Sequence, residues 1–214
     1  MPGSAYRRAL ITDYRNKAIP KHPQQSRADL SPVSTLPNNT YCSIARGHEY
    51  HGPYHDHEYG FPVESDDLLF ERLMLEINQA GLSWLTILTK RAGLRSAYDE
   101  FAIGRVAEYG DEDRTRLMRD SRIIRNHLKI EAAISNARTL LNIRVSHGSF
   151  MGWLDQHHPL DTADWTRLFK KTFRYTGGEI TASFLMSTGY LPGAHHPICP
   201  VHETIRTLHP KWMQ

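Results

Sequence analysis

Four residues of this 214-residue chain carry the side chains of a tetrahedral metal centre: Cys42, His55, His195 and Cys199. Two thiolates and two imidazoles form a common zinc environment, and four protein ligands leave no place for a reactive water, so such an ion is structural. The four-residue step from His195 to Cys199 can turn both side chains to one point, whereas the thirteen-residue step from Cys42 to His55 needs a loop. Since the two pairs lie far apart in the chain, the ion would clasp an N-terminal strap to a C-terminal tail. Spacing leaves rivals open. His48, His51, His57, His196 and His202 are close by, and two cysteines also fit free thiols or a disulfide. A reducing interior disfavours the disulfide.

A second chemistry gathers around Glu76. It follows Leu69 and Leu73 at spacings that place all three on nearly one helix face. An acid in an apolar stripe costs free energy unless it gains partners, and burial raises its pKa. Trp84, Tyr54 and Tyr59 can supply rings beside it if the turn after Glu76 folds back. Rings attract positive charge and a carboxylate accepts N–H protons, a combination suited to a cationic heteroaromatic base. The alternative is a partly exposed acid at the edge of an amphipathic helix.

The elements that must hold these residues are helical. Leu69, Leu73 and Ile77 recur every four residues after a capping Ser65. Ala80-Gly81-Leu82-Ser83 breaks that helix, and Ser83 can cap a second one running through Trp84, Leu85 and Leu88 to Lys90. Further helices are predicted near 111–119, 127–142, 162–171 and 179–188, with Gly189 placed to end the last. Strict two-residue alternation is absent, so a large sheet is not expected. Between Asp113 and Leu140 a basic helix, the short turn DSRIIRN and another helix form a compact unit. Such a unit can aim backbone N–H groups and a helix N-terminus at a phosphate. An ordinary helical hairpin reads the same way by pattern.

Composition sets the bounds. The chain is long enough for one domain, 40% of it is apolar, and no run approaches the roughly 20 apolar residues that cross a bilayer. Arg7 and Arg8 are followed by too few apolar residues for a signal-peptide core, and a soluble, cytoplasmic protein is expected. Of 26 basic and 23 acidic residues, six and two fall in the first 40, which also hold five prolines. Residues 1–40 therefore read as a basic, proline-containing N-terminal extension, with a packed domain over 41–214. Arg114, Arg116, Arg119, Arg122, Arg125, Lys129 and Arg138 fall within 25 residues, opposed only by Asp120 and Glu131. Concentration of this kind can neutralise phosphates without raising global charge. A charged, solvated helix face is the plainer reading.

Five motifs, in order, resemble the DNA-3-methyladenine glycosylase I family, a divergent branch of the helix-hairpin-helix glycosylases. They are YHDHEYGFP at 54–62, LFERLMLEINQAGLSWLTIL at 69–88, RDSRIIRNHLKI at 119–130, FRYTG at 173–177 and HHPIC at 195–199. The second is the most specific, since its acid, the AGLSW turn and the following helix occur together. The resemblance spans about Tyr41 to His202 and implies an all-α fold with a helix-hairpin-helix-like element at about 112–142. It further implies a structural zinc ion on Cys42, His55, His195 and Cys199, and a monofunctional hydrolase that removes 3-methyladenine, and 3-methylguanine as a second substrate, from alkylated DNA. Glu76 is then the base-recognition and catalytic residue, with Tyr54, Tyr59 and Trp84 as base-binding rings. Arg122, Arg125, Asn126 and Lys129 fall on the DNA-backbone hairpin. The partner is double-stranded DNA containing alkylated purines, no membrane is involved, and a monomer suffices.

Several positions depart from the family pattern. Tyr59 replaces a tryptophan, Ile77 a glycine beside Glu76, His51 an aromatic and Arg122 the hairpin glycine, while Glu179 adds a negative charge near a loop pattern. If the family's hairpin needs a positive φ at 122, either Arg122 is strained there or its turn differs. These departures keep a second reading open: a non-catalytic or altered-specificity DNA-damage-binding protein on the same scaffold. A zinc metallohydrolase, a third reading, requires an open coordination position.

Overall fold

A computed structural model describes residues 36–214, and among the described residues there are helices and turns but no strand. The all-α expectation holds. The extension expected over residues 1–40 lies, up to position 35, outside the described residues. Helices α1 (Tyr41–Ala45) and α2 (His51–His57) lead to α3 (Asp66–Gln79) and α4 (Trp84–Ala97). A 3-10 turn (Asp99–Phe101) and α5 (Ile103–Ala107) precede α6 (Asp111–Arg119) and the long α7 (His127–His147). Then come α8 (Phe150–His157), α9 (Thr162–Thr172), α10 (Gly178–Ser187), α11 (Pro200–Arg206) and a last 3-10 turn (Lys211–Met213).

Helix α3 is the axis of the fold. Its predicted stripe is Leu69, Leu73 and Ile77, yet Phe70, Met74 and Leu75 are just as fully buried, because α4, α5, α7, α8 and α10 surround it. Each such side chain contributes about 1.5–3 kcal/mol on leaving water. Wrapping the helix on all sides also carries Glu71, Arg72, Glu76 and Asn78 inside. Local signals set its ends as the sequence implies. The Ser65 hydroxyl accepts from the Leu68 N–H at 3.4 Å. Arg144 of α7 reaches back to Asp66 at 3.1 Å and Asp67 at 3.2 Å in the first turn. Gly81 takes φ +80° in the turn that follows, and Ser83 caps α4 by accepting from the Thr86 N–H at 3.1 Å.

The helices that periodicity does not reveal are short. Helices α1, α2, α5, α8 and α11 have five to eight residues, about two turns or fewer. Gly52 and Pro53 further disguise α2, although proline is tolerated in a first turn, where its missing N–H has no intrahelical partner. Among the described residues no helix is long and apolar enough to cross a membrane.

Candidate functional site

Cys42, His55, His195 and Cys199 come together with one ligand atom from each, all within 4.8 Å of one another and all four residues buried. His195 Nδ1 lies 3.1 Å from His55 Nε2 and 3.7 Å from Cys42 Sγ, and Cys199 Sγ is 3.7 Å from His55 Nε2. Bond lengths near 2.0–2.3 Å around a tetrahedral ion put ligand atoms about 3.3–3.8 Å apart, so this donor set fits zinc. The outer nitrogens are engaged as well. His55 Nδ1 bonds Asp56 Oδ1 at 2.7 Å and His195 Nε2 donates to the Tyr59 carbonyl at 2.7 Å, which leaves the inner nitrogens as lone-pair donors. The rival histidines lie elsewhere: His48 Nδ1 accepts from the backbone N–H groups of Tyr50 and His51, and His202 stacks on Trp212. Gly60 lets the two parts of the cluster meet, since a Cβ there would stand 2.7 Å from the Ala194 Cβ.

Beside the cluster, aromatic rings gather. Tyr54 meets Trp84 edge-on at 5.1 Å between centroids and tilts against Tyr59 at 5.7 Å. Tyr41, a ring that sequence reasoning missed, stands edge-on to Tyr59 at 5.2 Å. Glu76 projects towards this group: it is 6% exposed, and its charge bears on the hydroxyls of Tyr54, Tyr59 and Tyr41. Burial pushes the Glu76 carboxyl up to about 8, against the pull of the Arg72 charge. Burial likewise raises Tyr54 well above the ordinary phenol range and Tyr59 to about 12, so these rings stay neutral. Glu76 takes no hydrogen bond from the described residues. Among the described residues the buried Tyr54 hydroxyl and two nitrogens of Arg72 also have no hydrogen-bond partner. Such groups are costly to leave unpaired. Ile77, whose bulk was expected beside Glu76, is fully buried within the apolar core.

A buried ion network anchors the wall. Arg72 pairs with Glu58 at 2.5 Å while its guanidinium carbon lies 4.9 Å from the Tyr54 centroid. Arg91 bridges Glu58 at 2.7 Å and Glu71 at 2.8 Å, tying the end of α2 to α3 and α4. Burial opposes ionisation of Glu58, but Arg72 and Arg91 overcome it and hold the carboxyl at about 2.

The segment between α6 and α7 makes a tight corner. Asp120 Oδ1 accepts from the Arg122 backbone N–H at 2.9 Å, and both its oxygens bind the Arg122 guanidinium. Of the two outcomes expected at Arg122, the different turn is the one observed: residue 122 has no positive φ, and the Asp120 side chain holds the corner. Glycine is used across the contact instead: a Cβ on Gly93 of α4 would stand 2.7 Å from the Arg122 Cβ and 2.8 Å from its carbonyl oxygen. Asn126 caps α7 by accepting from the Lys129 N–H at 3.2 Å, and Arg125 is exposed. The Lys129 ammonium is buried and donates to the Asn78 and Ala80 carbonyls at 2.8 and 2.7 Å, closing the end of α3.

Comparison with known proteins places these features in a context. Residues 44–167 match the methyladenine glycosylase family. DNA-3-methyladenine glycosylase 1 of Escherichia coli K12 is 35% identical over 155 residues, covering 64% of this chain and 83% of its own. The Haemophilus influenzae DNA-3-methyladenine glycosylase is 41% identical over 101 residues, 47% of this chain and 55% of its own. The solved 3-methyladenine DNA glycosylase I of Staphylococcus aureus superposes with a TM-score of 0.67 at 28% identity, covering 75% of this chain and 95% of its own.

Proposed function

As the chain belongs to the methyladenine glycosylase family, we propose that it is a base-excision DNA repair N-glycosylase acting on N3-methylated purines, 3-methyladenine foremost, in alkylated double-stranded DNA. One observation carries this reading: the buried carboxyl of Glu76, which takes no hydrogen bond among the described residues, beside the rings of Tyr54, Tyr59 and Trp84. Related proteins are named for this activity, and one solved relative was obtained in complex with 3-methyladenine.

The mechanism follows from charge. A purine methylated at N3 within DNA is cationic, so its bond to C1′ is already weakened. The damaged nucleotide swings from the stack into the slot, where the rings hold the cation and Glu76 accepts its N–H protons. Entry of the positive charge favours the ionised carboxylate, offsetting the burial that otherwise keeps Glu76 protonated. Water adds to C1′, the bond to the purine breaks with its electron pair passing to the ring, and a proton goes to solvent. The products are a neutral base and an abasic site. Holding base and sugar in the geometry of charge separation supplies the transition-state stabilisation. Lys129, engaged by two carbonyls, is not placed to act as an amine nucleophile, and the reaction is read as monofunctional.

In this reading α6, the Asp120 corner and α7 form the helix-hairpin-helix element. Arg122, Arg125 and the N-terminus of α7, capped by Asn126, lie against the DNA backbone. Cys42, His55, His195 and Cys199 hold a structural zinc ion, whose four protein ligands leave no open position for hydrolytic chemistry. Methylated duplex DNA incubated with the protein, with free bases identified by mass, tests the proposal. Release of 3-methyladenine supports it. Duplex binding without release of any modified base returns the chain to the damage-binding alternative.

A further inference from the structure

Tyr41 stands where the metal cluster and the aromatic slot meet. Thr40 caps α1 by accepting from the Ser43 N–H at 3.2 Å, which fixes Tyr41 as the first helical residue, immediately before Cys42. Its ring lies 5.2 Å from Tyr59, 5.6 Å from His51 and 5.9 Å from His55. Its hydroxyl is 3.3 Å from His51 Nδ1. With His51 Nδ1 as the acceptor, the Tyr41 hydroxyl donates to it. Burial holds His51 below its ordinary pKa, in the neutral form whose Nδ1 can accept. The phenol, held at its hydroxyl by His51, backs the smaller ring at position 59 edge-on.

We propose that Tyr41 is a positioning residue of the base slot: it holds Tyr59 in place for the purine and anchors that ring to the metal-bearing strap through its bond to Cys42. The proposal rests on the functional reading above. Its test compares wild type with Tyr41→Phe and Tyr41→Leu, measuring bound zinc, affinity for undamaged duplex and affinity for free 3-methyladenine by calorimetry. Tyr41→Leu, which loses ring and hydroxyl, should weaken base binding about 10–100-fold. Tyr41→Phe keeps the ring and should lose only about 2–10-fold. Zinc content and duplex affinity should match wild type in both. Unchanged base affinity in Tyr41→Leu overturns the proposal. So does loss of base affinity together with zinc, because Tyr41 would then belong to the clasp alone. A wild-type protein that binds no 3-methyladenine is a different outcome: it rejects the functional reading, and the positioning role falls with it.

Discussion

Replacing Glu76 by glutamine should stabilise the protein while disabling it, and pH separates the two effects. Burial raises the Glu76 carboxyl from the ordinary 4.5 to about 8. Below about pH 4.5 the group is protonated in both folded and unfolded chains and costs nothing extra. As pH rises the unfolded chain loses this proton first, so the folded state becomes steadily less favourable until about pH 8, where the full cost is present. A displacement of this size corresponds to about 5 kcal/mol, and relaxation of the ionised site reduces it to about 2–4 kcal/mol. Glutamine keeps the shape and cannot ionise. Urea unfolding of both proteins at pH 5, 7 and 9 measures the effect, and groups common to both cancel in the difference. The glutamine variant should gain about 2–4 kcal/mol on wild type between pH 5 and pH 9. Parallel pH profiles would show that Glu76 is solvated or paired, and the slot as described would be wrong. An acid retained at such a cost is what a trade between stability and activity leads one to expect.

Other perturbations separate the clasp, the ion network and the hairpin. Cys42→Ala and Cys199→Ala should each abolish stoichiometric zinc and lower the Tm by about 10 °C, read by elemental analysis and calorimetry. Arg91→Leu leaves Glu58 only Arg72 and Glu71 only Arg95, and should cost about 1.5–3 kcal/mol in denaturant unfolding. Gly93→Ala drives a methyl into Arg122; about 1–3 kcal/mol of strain should displace the corner and weaken duplex binding, measured by anisotropy. Arg125→Ala should reduce the salt dependence of duplex binding by about one phosphate contact, whereas Lys129→Met should leave that slope unchanged and lose stability instead.

How far the sequence reveals all this depends on the range of the forces involved. Caps act within a few residues, so Ser65 and Ser83 mark the starts of α3 and α4 correctly, and repeated apolar positions reveal the longer helices. The four metal-site candidates are chemically distinctive enough to be found from opposite parts of the chain. Charge was harder to read, because a count cannot tell exposed cations from those the fold uses. Arg114 is bound to Glu131, Arg116 and Arg138 donate to backbone carbonyls, and Lys129 closes a helix. Arg119 and Arg125 remain exposed. The Glu58–Arg72–Arg91–Glu71 network joins residues up to 33 positions apart and has no local signature. Tyr41 escapes for a related reason: it lies 18 positions before Tyr59, and only the folding of the strap brings the two rings together.

The most direct measurement is single-turnover release of 3-methyladenine from a duplex bearing one such lesion, by wild type and by Glu76→Ala with zinc content checked in both. Release by wild type and a loss of about 100-fold or more in the folded, metal-loaded variant is the expected result. Equal rates would remove Glu76 from the chemistry, and with it the role assigned to the slot.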